Sequence, residues 1–334
     1  MKMSFRKRVL STTLSLILSG FACSQNVWAV EPSKERPHMD LAFCIDTTSS
    51  MSPEIENVKT KVKELISKLA AGHPAPVIRV GLVAYRDRGD DYVTKVFPFT
   101  EDIDAMVKDI SSLQAQGGGD GPESVNEGLH VTVHNLKWDD SKKTSKLLFL
   151  IGDAAPHYYP NDYKWQDESK TAISKGIQIN TIGCNGLQNY PASEGIDVFK
   201  QIAKLTDGAF EPLAYKQVVQ TASGGTETHI VSSAGAFAVR AEKAKDWRDG
   251  VTALAASKSL DAAPKPASMP AYAAMRGRAM AGAAGTSAAM SYAAAAPMLE
   301  ATDSSYKGSE NNLDSILLKA AEKKAKKDLN VDYK

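Results

Sequence analysis

The sequence predicts an α/β fold, an open and mostly parallel six-stranded sheet with helices on both faces, followed by a low-complexity C-terminal tail. Three observations carry that expectation. Strand and helix signals alternate from Asp40 to about Pro212. Several strand-like runs are apolar at consecutive positions, as strands buried on both faces must be. The stretches between them space their apolar residues three and four apart, the period of a helix with one buried face.

Each element has its own signal. Leu41–Asp46 is a short apolar run, read as a buried strand. A helix begins near Ser52-Pro53, with proline at a first-turn position where its missing N–H costs nothing. Ile55, Val58, Val62, Leu65, Ile66 and Leu69 give that helix its apolar face. Val77–Tyr85 and Tyr92–Phe99 read as strands joined by the polar turn Arg86–Asp91. That connector is too short for a crossover, so the pair must be antiparallel. Thr100 is expected to cap the next helix, with Glu101 and Asp102 in its first turn and Ile103, Met106, Val107 and Ile110 on one face. A glycine-rich loop, Gly117–Pro122, leads into a helix over Glu123–Leu136. Lys146–Asp153 and Ile177–Cys184 are further apolar strands, Asp197–Leu205 a helix and Ala209–Leu213 a last short strand.

The ends of the chain differ from this body. Met1–Arg8 is basic, Val9–Ala22 is mostly apolar or small, and Val27-Trp28-Ala29 ends on a small residue. Together they read as a secretory signal peptide over residues 1–29, cleaved after Ala29, and the apolar run is too short for a transmembrane span. A lipoprotein anchored at Cys23 is the less favoured reading, because Gly20 stands where such signals usually carry Leu. Residues 40–220 form the expected domain. Residues 221–310, rich in Ala, Met and Ser, read as a largely disordered linker, and 311–330 as a C-terminal amphipathic helix exposed as a tail.

Composition narrows the function. The formal charge is +1, and removing Lys2, Arg6, Lys7 and Arg8 takes the basic residues from 40 to 36 against 39 acids, leaving −3. That balance argues against nucleic acid as a partner. After cleavage only Cys44 and Cys184 remain; a disulfide is permitted in an oxidising compartment, but the expected strand order separates them, so buried free thiols are expected.

The chemistry concentrates at three strand ends. The first strand runs into Asp46-Thr47-Thr48-Ser49-Ser50, the glycine loop presents Asp120, and another strand ends on Asp153. Sites in open α/β sheets lie beyond the carboxyl ends of the strands. Carboxylates and hydroxyls without His or Cys suit a hard divalent cation, Mg²⁺ foremost and Ca²⁺ or Mn²⁺ next.

Asp46-x-Thr48-x-Ser50, the glycine loop and the strand-terminal Asp153 resemble the metal-ion-dependent adhesion site of von Willebrand factor A (vWA) domains. Gly117-Gly118-Gly119-Asp120-x-Pro122-Glu123 and Val83-Ala84-Tyr85-Arg86-Asp87 look most like the extracellular hemicentin-like and alpha-kinase-associated branch. The resemblance spans about Asp40 to Leu213 and implies the Rossmann-like vWA fold. It also implies that Thr48 and Ser50 bind the metal directly, that Asp46 and Asp153 bind it directly or through water, and that a protein partner offers an acidic side chain to the open position. Asp120 departs from the adhesion pattern, which has Thr in this loop. The extra carboxylate is expected to strengthen metal binding and weaken the metal's pull on a partner's carboxylate. Whether Asp120 or Glu123 points at the ion stays open at this stage.

The expected function is an exported adhesion or interaction module of the bacterial periplasm or cell exterior, not an enzyme. Two alternatives use the same residues: a metal-assisted hydrolase built on Asp46, Asp120 and Asp153, and an envelope scaffold with a purely structural metal. His157, Tyr158 and Tyr159, with Tyr163 and Trp165, form either an aromatic rim for a partner or a loop packed on its own helix. Arg88-Gly89-Asp90 reads as a hairpin turn, not an adhesion tripeptide. His130 and His134, with Glu127 one turn before, lack a third metal ligand in the sequence and read as solvated helix-face residues.

Overall fold

A computed structural model of the chain describes residues 36–119, 121–190, 194–220, 224–233, 235–239, 247–248 and 310–333. The expected signal peptide, Cys23, Asp120 and the Ala/Met-rich part of the linker lie outside the described residues. Among the described residues nine strands and six longer helices follow one another: β1 (His38–Asp46), α1 (Ser52–Ala70), β2 (Val77–Tyr85), β3 (Thr94–Thr100), α2 (Ile103–Ser111), α3 (Val125–His134), β4 (Thr144–Gly152), α4 (Trp165–Ser174), β5 (Ile177–Gly183), α5 (Glu194–Leu205), β6 (Phe210–Pro212), β7 (Ala214–Gln220), β8 (Thr226–Ser232), β9 (Gly235–Val239) and α6 (Leu313–Leu329).

β1 to β6 form one sheet in the order β3-β2-β1-β4-β5-β6. Every neighbouring pair is parallel except β2–β3, which is antiparallel as the short Arg86–Asp91 connector requires. The apolar runs are explained by burial on both faces, because successive side chains of a strand point to opposite sides. Met39, Leu41, Phe43 and Ile45 of β1 join Leu147, Phe149 and Ile151 of β4 in a core shared with α1, α2 and α6. Ala42 and Cys44, with Leu148 and Leu150, pack on the other face beneath α3, α4 and α5. Cys44 and Cys184 are buried free thiols, with β4 between β1 and β5.

Three local differences have identifiable causes. Asp102, not Thr100, caps α2: its Oδ1 accepts the Ala105 N–H at 2.9 Å, while Thr100 closes β3 and its hydroxyl accepts the Asp102 N–H. α3 begins at Val125 instead of Glu123, because the Glu123 backbone is engaged with the loop after β4, to Ala155 O at 3.0 Å and His157 N at 2.8 Å. α4 was not signalled by a strong apolar stripe; it buries Trp165, Glu168, Ser169 and Ala172.

The larger departures lie after β6. Within the expected linker, β8 pairs antiparallel with β7 and β9 antiparallel with β8, a second, three-stranded sheet in the order β7-β8-β9. The helix expected as an exposed tail is instead part of the main core, burying Leu313, Ile316, Leu317, Ala321 and Ala325 on one stripe. Asn312 anchors its entry, accepting the Ala214 N–H on Oδ1 at 2.8 Å and donating from Nδ2 to Pro212 O. The reason is spacing: apolar residues at intervals of three and four need a partner surface, and the α1 side of the sheet supplies it.

Candidate functional site at the sheet switch point

From β1 the chain builds outward through β2 and β3; from β4 it builds the opposite way through β5 and β6. The reversal therefore lies between β1 and β4, adjacent strands in register from His38↔Thr144 to Ile45↔Ile151. Asp46 ends the first and Asp153 follows the second, so both carboxylates leave the sheet at the same end, beside the crevice where such folds bind ligands.

Two hydroxyls bridge these carboxylates. Asp46 Oδ1 accepts the Thr48 backbone N–H at 2.9 Å and the Thr48 hydroxyl at 2.6 Å. Thr48 Oγ1 lies 3.2 Å from Ser50 Oγ, which donates to Asp153 Oδ1 at 3.1 Å. Asp46, Thr48 and Asp153 are buried. A hydroxyl that donates its hydrogen to a carboxylate keeps its lone pairs for another acceptor-seeking group. The chain Asp46–Thr48–Ser50–Asp153 thus presents a cluster of oxygen donors from two strand ends.

The surrounding loops add more carboxylates. Gln116 N–H donates to Thr47 O at 3.0 Å, and both the backbone and the hydroxyl of Ser49 donate to Gly117 O. Gly117 and Gly118 have φ of 78° and 74°, the left-handed region that glycine enters without strain. A Cβ on Gly118 would stand 2.8 Å from Glu123 Oε1 and 3.0 Å from Thr48 Cβ, so the Glu123 carboxylate faces Thr48 across this bare backbone. Asp90 accepts the Gly118 N–H, and Asp87 accepts the Ser124 hydroxyl at 2.8 Å.

Electrostatics register this crowding. Burial first, then Asp46, Asp87, Asp153 and Asp90, push the Glu123 carboxyl far above its ordinary value. Its Oε2 is buried with no hydrogen-bond partner among the described residues. Glu54, in the first turn of α1, is raised to about 8, by burial foremost and then by Asp153. An all-oxygen donor set with converging negative charge and an orphaned carboxylate oxygen is a chemical fit to a hard divalent cation.

The tyrosine-rich loop divides. Tyr159 donates to Asp87 Oδ2 at 2.6 Å, stacks on His157 at 3.9 Å and lies beneath the Arg88 guanidinium. Tyr158 faces outward, 56% exposed, so only this member of the trio is a large exposed aromatic surface. Arg88-Gly89-Asp90 is a turn whose ends are engaged, Arg88 with Asp162 at 2.9 Å and Asp90 with Gly118.

The sequence reading missed three groups. Glu54 belongs to no motif, and Asp87, though it ends the Val83–Asp87 motif, was not expected beside Glu123. Glu168 of α4 reaches between two α3 histidines, 3.1 Å from His130 Nδ1 and 2.9 Å from His134 Nε2. Of the two histidines expected to be solvated, His134 is exposed and His130 half-buried, and both meet a carboxylate from another helix, where sequence spacing cannot show it.

A family model described as von Willebrand factor A domain matches residues 40–224. The chain belongs to that family. Over 122 residues it is 31% identical to the alpha-protein kinase vwkA of Dictyostelium discoideum, covering 36% of this chain and 19% of that protein. Human von Willebrand factor A domain-containing protein 7 is 31% identical over 121 residues, 36% of this chain and 12% of its own length. The aligned region is therefore less than a fifth of either relative. Among solved structures, the open conformation of the pilus adhesin SpaC from Lactobacillus rhamnosus GG aligns with a TM-score of 0.42 at 15% identity, covering 53% of this chain and 28% of that one. Among the described residues no helix of the vWA protein is long and apolar enough to cross a membrane.

Proposed function

We propose that this vWA protein is an exported interaction module. It holds a divalent cation, Mg²⁺ foremost, at Asp46, Thr48, Ser50 and Asp153, with Asp120 and Glu123 completing the charge around it. Through that ion and the adjoining surface it binds a protein partner, whose acidic side chain takes the open position. The carrying observation is the hydroxyl-bridged pair of buried carboxylates at the sheet switch point. Tyr158 is the aromatic group placed to extend the partner surface. The additional carboxylates favour a metal retained without partner, with partner affinity resting more on surrounding contacts.

Calorimetric titration of Mg²⁺, Ca²⁺ and Mn²⁺ into the metal-stripped chain tests this, with Asp46→Ala alongside. The chain must retain α6, since that helix belongs to the core. Saturable one-site binding lost in the variant is the expected result, followed by metal-dependent capture of a partner from envelope extracts. Equal behaviour of the two proteins would sink the metal reading. Hydrolysis of a phosphoester or peptide panel, abolished by Asp46→Ala, would move the assignment to a metal-assisted hydrolase.

A further inference from the structure

We propose that His130, His134 and Glu168 form a second metal site, for a borderline-soft divalent ion of the zinc class. It is separate from the all-oxygen cluster and does not rest on the function proposed above.

α3 carries His130 and His134 four residues apart, so both rings emerge from one helical face, with centroids 4.4 Å apart. α4 supplies the third donor. Ligand atoms of all three residues lie within 4.8 Å of one another. The two recorded separations, His130 Nδ1–Glu168 Oε1 at 3.1 Å and His134 Nε2–Glu168 Oε2 at 2.9 Å, are close to the ligand–ligand edge of tetrahedral zinc, about 3.3 Å for arms of about 2.0–2.1 Å. The two contacts run to different carboxylate oxygens, and the three ligand atoms span up to 4.8 Å, so the side chains would draw together by rotamer adjustment around an ion.

The donor chemistry sets the class of metal. Two imidazole nitrogens and one carboxylate suit zinc and its neighbours far better than Mg²⁺ or Ca²⁺, which prefer oxygen throughout. The surroundings hold the ligands in place. The Glu168 side chain is 8% exposed, and Tyr163 stacks flat on His130 with centroids 3.5 Å apart. The His134 side chain is 36% exposed, leaving the solvent side open for a fourth ligand such as water. Without a metal, one ring nitrogen of each histidine lies at hydrogen-bond distance from the buried carboxylate. An ion would take the place of the hydrogens shared at these contacts.

Binding would cross-link α3 to α4, and with them the tyrosine-rich loop between β4 and α4. That loop is already tied to α3, since Asn126 Oδ1 accepts the Trp165 N–H at 3.0 Å and its Nδ2 donates to His157 O. His130 sits six residues along from Ser124, a rise of about 9 Å from the oxygen cluster's side of the helix.

The test is titration of Zn²⁺ into the untagged, chelator-stripped chain in excess Mg²⁺, by calorimetry and thermal melting. Wild type should bind one Zn²⁺ and melt higher. His134→Ala should weaken binding at least about tenfold, as loss of a direct ligand exceeds the effect of losing a supporting one. The double variant His130→Ala/His134→Ala should bind none and show no Zn²⁺-dependent melting shift. Asp46→Ala should keep full Zn²⁺ affinity, which separates this site from the oxygen cluster. Nitrogen-15 shifts of the His130 and His134 rings give a readout in the wild-type chain, should the variants fail to fold. No Zn²⁺ binding, unchanged affinity in the variants, or unmoved ring resonances at saturation would each overturn the proposal and leave the cluster as a hydrogen-bonded clamp.

Discussion

Leu317→Ala probes whether α6 is structural. Leu317 is fully buried in the core cluster that includes α1 and the β1–β4 strands. Truncation removes three buried carbons at about 0.8 kcal/mol each, or roughly 2.4 kcal/mol of transfer free energy. The cavity left between α6, α1 and the sheet raises the loss to about 3–4 kcal/mol, within the range measured for buried Leu→Ala changes. Lys323→Ala, exposed on the opposite face of the same helix, should change stability by no more than about 0.5 kcal/mol. Urea unfolding followed by far-UV circular dichroism reads both values. A Leu317→Ala loss no larger than the Lys323→Ala change would refute the reasoning, because a docked helix cannot surrender a buried leucine without cost.

Two further perturbations address the oxygen site. Glu54 is raised from 4.5 to about 8, so between those values the folded chain binds a proton that the unfolded chain has released. Its contribution to stability is therefore complete below about 4.5 and lost as pH rises through about 8. In chelator, Glu54→Gln should flatten the fall in melting temperature across that window, and identical pH slopes would remove the assignment. Gly118→Ala should cost about 1–2 kcal/mol, since alanine is strained at positive φ. It should also lower cation affinity, since its Cβ would press on Glu123 and Thr48; calorimetry showing undiminished affinity would take Glu123 out of the site.

Much of this was legible because it is local or periodic. Val77–Tyr85 is read from its apolar run with the same boundaries that the strand has. Asp46, Thr48, Ser50 and Asp153 are found because strand ends and turns are marked in the sequence, and topology then brings them together. What escaped depends on pairing across long separations. Ser223-Gly224-Gly225 is a turn signal ahead of β8, but β8 itself alternates only modestly and most of its residues are polar, so Thr226–Ser232 resembles polar linker. α6 shows a helical period but not its destination, roughly a hundred residues after the strand to which Asn312 is tied. Glu168 is invisible as a companion of His130 for the same reason: its only clue is a helix, Trp165–Ser174, whose burial is mostly of small and polar side chains.

The described residues on either side of 249–309 lie close together. The chain leaves at Trp247, packed with Ala214 and Ile230, and returns at Glu310, whose carboxylate lies 3.8 Å from Arg248. Departure and re-entry thus share one doorway on the folded body. Holding two ends of a chain together costs only about 0.6 kcal/mol more for each doubling of the residues between them. By that rule the docking of α6 depends little on how many residues lie between the two ends.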